Sequence, residues 1–205
     1  MKAPRPPGRP LSFDPASALA QAVTLFWQRG YADASIQEIT DAMGINRPSL
    51  YATFGDKEAL FLKVVDAYRM QVEAQLSALF GQGGSLEQTL RALFDQAISV
   101  YAQPNSAPRG CLLASAATAQ APQSAPQRDA VRSALLSIEA VIRRGLAHRL
   151  EQEGRADPER IDAMTLLASS FCYALSVRAR LGVGEQQLRG DVAPMVRSVL
   201  AVGGR

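Results

Sequence analysis

Apolar residues recur at helical spacing through nearly the whole chain. In one short segment they return at intervals of three and four residues, at Ile36, Ile39 and Met43. The same spacing recurs in longer segments up to about residue 202, and no segment keeps the strict alternation of a strand. The sequence therefore predicts an all-α protein of nine helices, three in a short N-terminal unit and six in a longer C-terminal unit.

Capping residues and breakers divide the C-terminal pattern into segments. The predicted helices span about 56–80, 85–102, 110–121, 124–152 and 157–181, with a last one from 185 or 191 to 202. Asp157 and Pro158 form a strong cap and first-position pair. The last helix is the least defined, because Pro194 either kinks it or marks a late start.

Two short helices meet at a tight corner in the N-terminal unit. Ser35 and Glu38 form a capping box that starts the first helix, and Gly44 supplies the left-handed conformation that ends it. Asn46 caps the next helix, and Pro48 fits its first turn. Such a pair is typical of a helix-turn-helix, whose second helix lies in the DNA major groove.

The residues around this corner resemble the DNA-binding domain of the TetR family of transcriptional regulators. The resemblance covers about the first third of the chain, and the rest is similar to the family in being helical. It implies a homodimeric repressor that binds a near-palindromic DNA operator and is released by a small-molecule effector. The matching residues are Phe26-Trp27-Gln28-Arg29-Gly30-Tyr31, Ser35-Ile36, Gly44-Ile45 and Leu50-Tyr51-x-x-Phe54-Gly55-Asp56-Lys57-Glu58-Ala59-Leu60.

The resemblance also implies a division of the chain and a set of DNA contacts. Residues 1–11 would form a flexible basic arm, 12–55 the helix-turn-helix domain and 56–205 the ligand-binding and dimerisation domain. Arg47 and Ser49 would contact base edges, Tyr51 and Lys57 phosphates, and Arg9 the minor groove or the backbone. For each, an ordinary solvated side chain is the alternative. The candidates are Arg9, Thr40, Asn46, Arg47, Pro48, Ser49, Tyr51 and Lys57.

Net charge alone does not indicate DNA binding. The chain of 205 residues carries +3, and six basic and six acidic side chains balance one another between Met1 and Leu60. The placement of the bases is more informative. Arg47 and Lys57 lie at helix starts, where backbone N–H groups add positive potential.

In the family the effector binds in the C-terminal domain, and the last two helices form the dimer interface. For the aromatic effector candidates and for the apolar interface stripe, packing inside one chain is the alternative. The effector candidates are Tyr68, Phe94, Tyr101, Cys111, Ser115, Phe171 and Tyr173, and the stripe comprises Ile161, Leu167, Phe171, Leu175, Leu188, Val192, Val196 and Leu200.

Cys111 raises a second functional hypothesis. Its segment, Arg109-Gly110-Cys111-Leu112-Leu113, resembles one found in family members that respond to electrophiles or metals. Arg109 and the start of the following helix would favour the thiolate of Cys111, which would then be a thiol-based electrophile or redox sensor. An inert buried cysteine that serves as a small apolar residue is the favoured alternative. A helical small-molecule-binding protein without DNA binding is a further alternative.

Other classes of protein find little support. Cys111 and His148 are the one obvious nucleophile and base, and no third catalytic partner is recognisable, so no enzyme and no cofactor are predicted. Two cysteines and one histidine are too few for a metal site built on these residues. The cysteine content, the lack of a secretory signal and the lack of a bilayer-length apolar run predict a cytoplasmic protein that does not bind membranes.

Overall fold

The computed structural model describes residues 13–102, 110–119 and 124–202, and within these ranges all regular structure is helical. The predicted all-α fold is thus confirmed. The basic arm and Arg9 lie outside the described residues. The described ranges contain ten helices: α1 (Pro15–Arg29), α2 (Ile36–Met43), α3 (Arg47–Phe54), α4 (Lys57–Gly81), α5 (Leu86–Tyr101), α6 (Leu112–Ala119), α7 (Ala125–Gln152), α8 (Pro158–Arg180), α9 (Glu185–Gly190) and α10 (Val192–Ala201).

The last predicted helix is divided in two. Asp191 separates α9 from α10, so both of the starts proposed from the sequence are used. Pro194 lies in the first turn of α10. A backbone N–H at that position has no acceptor within the helix, so proline costs no hydrogen bond there. No helix in the described ranges is long and apolar enough to cross a membrane.

Helices α1 to α3 pack around an apolar core that continues into α4. The capping box of Ser35 and Glu38 is formed, and Gly44 ends α2 with φ +65°. Buried side chains of α1, α2 and α3 meet Leu60 and Phe61 from the first turns of α4. Helix α4 therefore belongs to both units and connects them.

Helices α4 and α7 make the main contact of the C-terminal unit. They approach closely at Gly145, where an added Cβ would lie 2.2 Å from Cγ of Phe80. One turn further on, the buried Arg149 donates to the carbonyl oxygens of Phe80 and Gln82. These bonds satisfy backbone acceptors that the end of α4 would leave unpaired. Helices α5, α8, α9 and α10 complete the core.

The two units are joined at the turn that precedes α6. The indole N–H of Trp27 on α1 donates to the carbonyl of Gly110 at 2.9 Å, and the N–H of Cys111 donates to the hydroxyl of Ser176 on α8 at 2.7 Å. Gly110 has φ +64°, and an added Cβ would lie 2.6 Å from the Ser176 carbonyl oxygen. The Trp27 ring packs edge-on against Tyr68 of α4, with 5.1 Å between centroids. The turn before α6 therefore connects α1 to α8, and the Trp27 ring connects α1 to α4.

Most of the apolar stripe predicted for the dimer interface is buried inside the chain. The outward face of α8 carries different apolar residues, Leu166 and Val177, which are 67% and 49% exposed, with Ser170 between them. Helix α8 is thus apolar on two faces, one for its own core and one open to solvent. The intrachain alternative holds for Ile161, Phe171, Leu175, Leu188, Val192 and Val196.

Candidate nucleic-acid interface and effector cavity

Helix α3 is fixed on its inner side and open on its outer side. The side-chain oxygen of Asn46 accepts from the N–H of Ser49 at 2.9 Å and so caps the helix. Leu50 and Phe54 are buried in the N-terminal core, whereas the Tyr51 side chain is 51% exposed. This geometry presents a short helix with polar side chains on its free surface.

Arg47 is positioned by a residue that the sequence analysis missed. Its guanidinium donates to the side-chain oxygen of Gln37 at 3.0 Å, and the Gln37 amide in turn donates to Asp41 at 2.9 Å. Gln37 lies in the first turn of α2, on the exposed face opposite Ile39. The sequence feature that could have pointed to Gln37 is its polarity at an outer position of an amphipathic helix.

Lys57 is held against the neighbouring loop. Its ammonium donates to the carbonyl of Ala32 at 3.3 Å and lies 4.7 Å from the centre of the Tyr31 ring. Partial burial lowers the pKa of Lys57, while Asp33 and Glu38 oppose that change. The cation therefore connects the start of α4 to the loop between α1 and α2, beside the helix-turn-helix.

Thr40 does not lie on the outer surface, which corrects the prediction that it contacts DNA. Its side chain is buried, and its hydroxyl donates to the carbonyl oxygens of Ile36 and Gln37 at 3.0 and 2.9 Å. The other candidates from Asn46 to Lys57 lie on or beside α3 at exposed or half-buried positions.

A cavity of about 70 Å³ lies between α4, α5, α7 and α8. Four of the predicted effector residues line it: Tyr68, Tyr101, Cys111 and Tyr173. Its walls are otherwise mainly aliphatic, and they include Val72, Leu76, Leu93, Leu135, Ile138 and Ile142.

The remaining three predicted effector residues lie elsewhere. Phe94 and Phe171 pack edge-to-face in the core, with 4.8 Å between centroids, and neither lines the cavity. Ser115 accepts from the Arg180 guanidinium at 3.0 Å and borders a separate crevice near Tyr31. Helical spacing alone does not distinguish a core aromatic residue from one that lines a cavity.

Both cysteines are buried and free. The hydroxyl of Tyr68 donates to the Cys111 sulfur at 3.6 Å, and Arg109 lies outside the described residues. Burial raises the pKa of Cys172 to about 12 and that of Tyr101 well above its usual value, so both groups stay protonated at neutral pH. In the described ranges no three His, Cys, Asp or Glu side chains are grouped as a metal site.

Comparison with known proteins agrees with this geometry. The family model for bacterial regulatory proteins of the tetR family matches residues 18–64. The HTH-type transcriptional repressor BdcR of Escherichia coli K12 is 32% identical over 192 residues, covering 94% of this chain and 92% of its own length. The repressor ComR of the same organism is 30% identical, covering 88% of this chain and 86% of its own.

A solved structure extends the likeness to the whole fold. A cysteine-substituted form of the TetR family regulator CifR, complexed with 26-base-pair operator DNA, superposes with a TM-score of 0.83 at 29% identity. The match covers 93% of this chain and 99% of that one. The chain matches these relatives over most of their length and has their helix-turn-helix and helical core. It therefore belongs to the TetR family of bacterial regulatory proteins.

Proposed function

We propose that this protein is a transcriptional repressor that binds a near-palindromic DNA operator as a homodimer and is released by a small molecule. The observation that carries the proposal is the presentation of α3, whose inner side is buried while Arg47 and Tyr51 face outward. BdcR and ComR are named as repressors, and CifR is seen with operator DNA, which supports the same role here.

The proposed DNA contacts follow from the placement of the side chains. Arg47 and Ser49 at the start of α3 would reach base edges, and Tyr51 and Lys57 would bind phosphates. We add Gln37 to this group of residues, because its side chain binds the Arg47 guanidinium and lies on the exposed face of the first turn of α2. Asn46 and Pro48 keep the helix start in place, and Arg9 on the arm stays a candidate from the sequence alone.

Two copies are required for useful specificity. Recognition helices of a helix-turn-helix dimer enter successive major-groove segments about 34 Å apart along one face of the DNA. The exposed apolar face of α8, with Leu166 and Val177, is the surface that we assign to the dimer contact. A twofold axis through that face would repeat the same residues on both partners.

Release by an effector would use the junction before α6. Tyr68 lines the cavity and also packs against Trp27 of the N-terminal unit, and Cys111 lies between them and Ser176 of α8. A ligand lowers operator affinity only if it binds the DNA-incompetent arrangement more tightly. Displacement of Tyr68 would provide that difference, because its ring packs against Trp27 of α1. Such a regulator would act in the cytoplasm.

The decisive experiment is a gel-shift titration of the full chain with the DNA upstream of its own gene. We expect saturable binding whose affinity falls steeply between about 50 and 200 mM salt, because phosphate contacts release counterions. A helical ligand-binding protein without DNA binding would show no retarded complex even at low salt, and that result would reject the proposal.

The thiol-sensor alternative is favoured by one observation, the position of Cys111 on the cavity wall. A reactive molecule that enters the cavity would meet this sulfur beside the Tyr68 hydroxyl. Against it, the residue is 6% exposed, so bulky reagents in bulk solvent have little access. We therefore rank reversible effector binding first.

A further inference from the structure

We propose that the cavity selects small uncharged molecules that carry a hydrogen-bonding oxygen on an apolar body, and that it rejects both anions and cations. The inference rests on the proposed function, since it names the effector class for the same cavity. Three features of the cavity walls lead to it: an unpaired hydroxyl, the sign and position of the charge, and the available space.

The unpaired hydroxyl belongs to Ser169 on α8. Its residue is 2% exposed and lines the cavity, and its oxygen has no hydrogen-bond partner among the described residues. Helical Ser and Thr hydroxyls commonly bond to the carbonyl four residues earlier, as Thr165 does on the same helix at 2.7 Å. Ser169 does not, so its oxygen is available to a molecule in the cavity.

Charge on the walls excludes anions. Among the described lining residues Glu139 is the one ionisable acid or base of the Asp, Glu, Lys, Arg and His types. A carboxylate ligand would lose its hydration with no cation to pair with and a like charge at the wall.

Cations are disfavoured for a different reason. Glu139 is half-buried, and its carboxylate already accepts the Tyr173 hydroxyl at 2.9 Å. Burial raises the pKa of Tyr173 and that of Tyr68, so these hydroxyls stay neutral donors. An ammonium group would be desolvated beside one partly engaged carboxylate, several O–H dipoles and the uncharged amides of Gln75 and Gln96. An uncharged oxygen, in contrast, can exchange bonds with the hydroxyls without burying a charge.

The space limits the size of the ligand. An enclosed apolar cavity of about 150 Å³ is known to hold benzene. The 70 Å³ here is smaller and the cavity is not fully enclosed, so a single ring would fill it and expand its walls slightly. One-ring alcohols, aldehydes and ketones are the class that fits.

The test uses four one-ring probes with the full chain at pH 7: benzyl alcohol, benzoate, benzylamine and toluene. Binding is measured by isothermal titration calorimetry and by the shift in melting temperature. We expect benzyl alcohol to bind at least about tenfold more tightly than benzoate or benzylamine. Equal or tighter binding of either charged probe would overturn the inference. So would the absence of benzyl alcohol binding at concentrations up to about 10 mM, because a dissociation constant above that is too weak for an effector site.

A variant at Ser169 tests the role of its hydroxyl. Ser169→Ala removes a group that has no partner in the fold, so the variant is expected to fold with an unchanged or slightly raised melting temperature. We expect benzyl alcohol to bind about 3- to 10-fold more weakly, with toluene unaffected. Ser133→Ala, at an exposed position of α7 outside the cavity, is the matched control. An unchanged ratio of benzyl alcohol to toluene affinity in Ser169→Ala would remove Ser169 from the site.

The two levels of proposal fail separately. If the chain binds operator DNA but benzoate or benzylamine binds as well as benzyl alcohol, the effector class is wrong and the repressor function stands. If no operator is bound, the repressor function is rejected, while the order of the probes still decides the chemistry of the cavity.

Discussion

At the scale of single residues, the structure holds Arg47, the side chain that we propose to contact base edges, in place without DNA. Its backbone lies in the first turn of α3, and Gln37 holds its guanidinium on the outer surface. The hydrogen bond limits the conformations that the long side chain must lose on binding, which lowers the entropic cost of the contact. We therefore expect Gln37 to influence the proposed recognition through Arg47.

Arg47→Ala should weaken operator binding by about 10- to 100-fold, the effect of losing one good base contact. The melting temperature should change little, because the side chain is exposed and its one described bond is to another exposed side chain. Gel-shift titration and calorimetry measure the two effects. Arg132→Ala, on the exposed face of α7, removes the same charge away from α3 and should leave the affinity unchanged. Equal affinities for both variants would disprove the role of α3.

The two thiols should be slow to react in the native protein. Cys111 is 6% exposed, and burial holds the pKa of Cys172 at about 12, so its reactive thiolate is scarce at pH 8. A bulky aromatic disulfide reagent should react with far less than one thiol per native chain within minutes at this pH. In guanidinium, which unfolds the protein, it should react with both thiols. One equivalent reacting at once in the native state, and lost in Cys111→Ser, would instead support the thiol sensor.

The sequence predicts a residue's role where its interaction partner lies a few positions away in the chain. The caps at Ser35 and Asn46 form as expected, because their partners lie three residues away. Thr40 was misplaced because its burial depends on helices packed from elsewhere. Ser115 lies outside the cavity between α4, α5, α7 and α8, which its spacing could not indicate. Gln37 was missed because its partner Arg47 comes from the next helix, which no local pattern contains.

At the scale of elements, the α4–α7 contact depends on a residue without a side chain. Gly145→Ala should lower the free energy of unfolding by about 1–3 kcal/mol, because its Cβ would overlap the Phe80 ring near its attachment point. Urea denaturation measures the loss. Gly190→Ala is the matched control, since an added Cβ there meets nothing within 4 Å. Equal stability of both variants would show that α4 and α7 can separate without cost.

Helix positions were largely predictable, but the faces that helices use were not. Caps and apolar spacing set the ends of α4, α5, α7 and α8 to within a residue or two. Helix α6 begins at Leu112 instead of Gly110, because the turn before it is occupied by contacts to α1 and α8. The predicted dimer stripe falls mostly on the inner faces of α8, α9 and α10, because spacing does not tell which of two apolar faces of a helix meets its own chain.

At the scale of the whole molecule, the exposed face of α8 should decide the oligomeric state. Leu166→Arg should raise the dissociation constant of the dimer by at least about 100-fold, because it would bury an unpaired charge in the contact. Analytical ultracentrifugation measures it. Leu136→Arg changes another exposed leucine, on α7, and should leave the dimer intact. A dimer that tolerates Leu166→Arg would place the contact on another surface.

The junction before α6 has a practical consequence for following the proposed switch. Trp27 is the single tryptophan of the chain, and it lies where α1 meets Gly110 and Tyr68. Its ultraviolet emission therefore comes from one defined site at the boundary of the two units. A rearrangement that breaks its hydrogen bond or turns the Tyr68 ring should change the wavelength or intensity of this fluorescence. The unlabelled protein therefore reports the switch by its own emission.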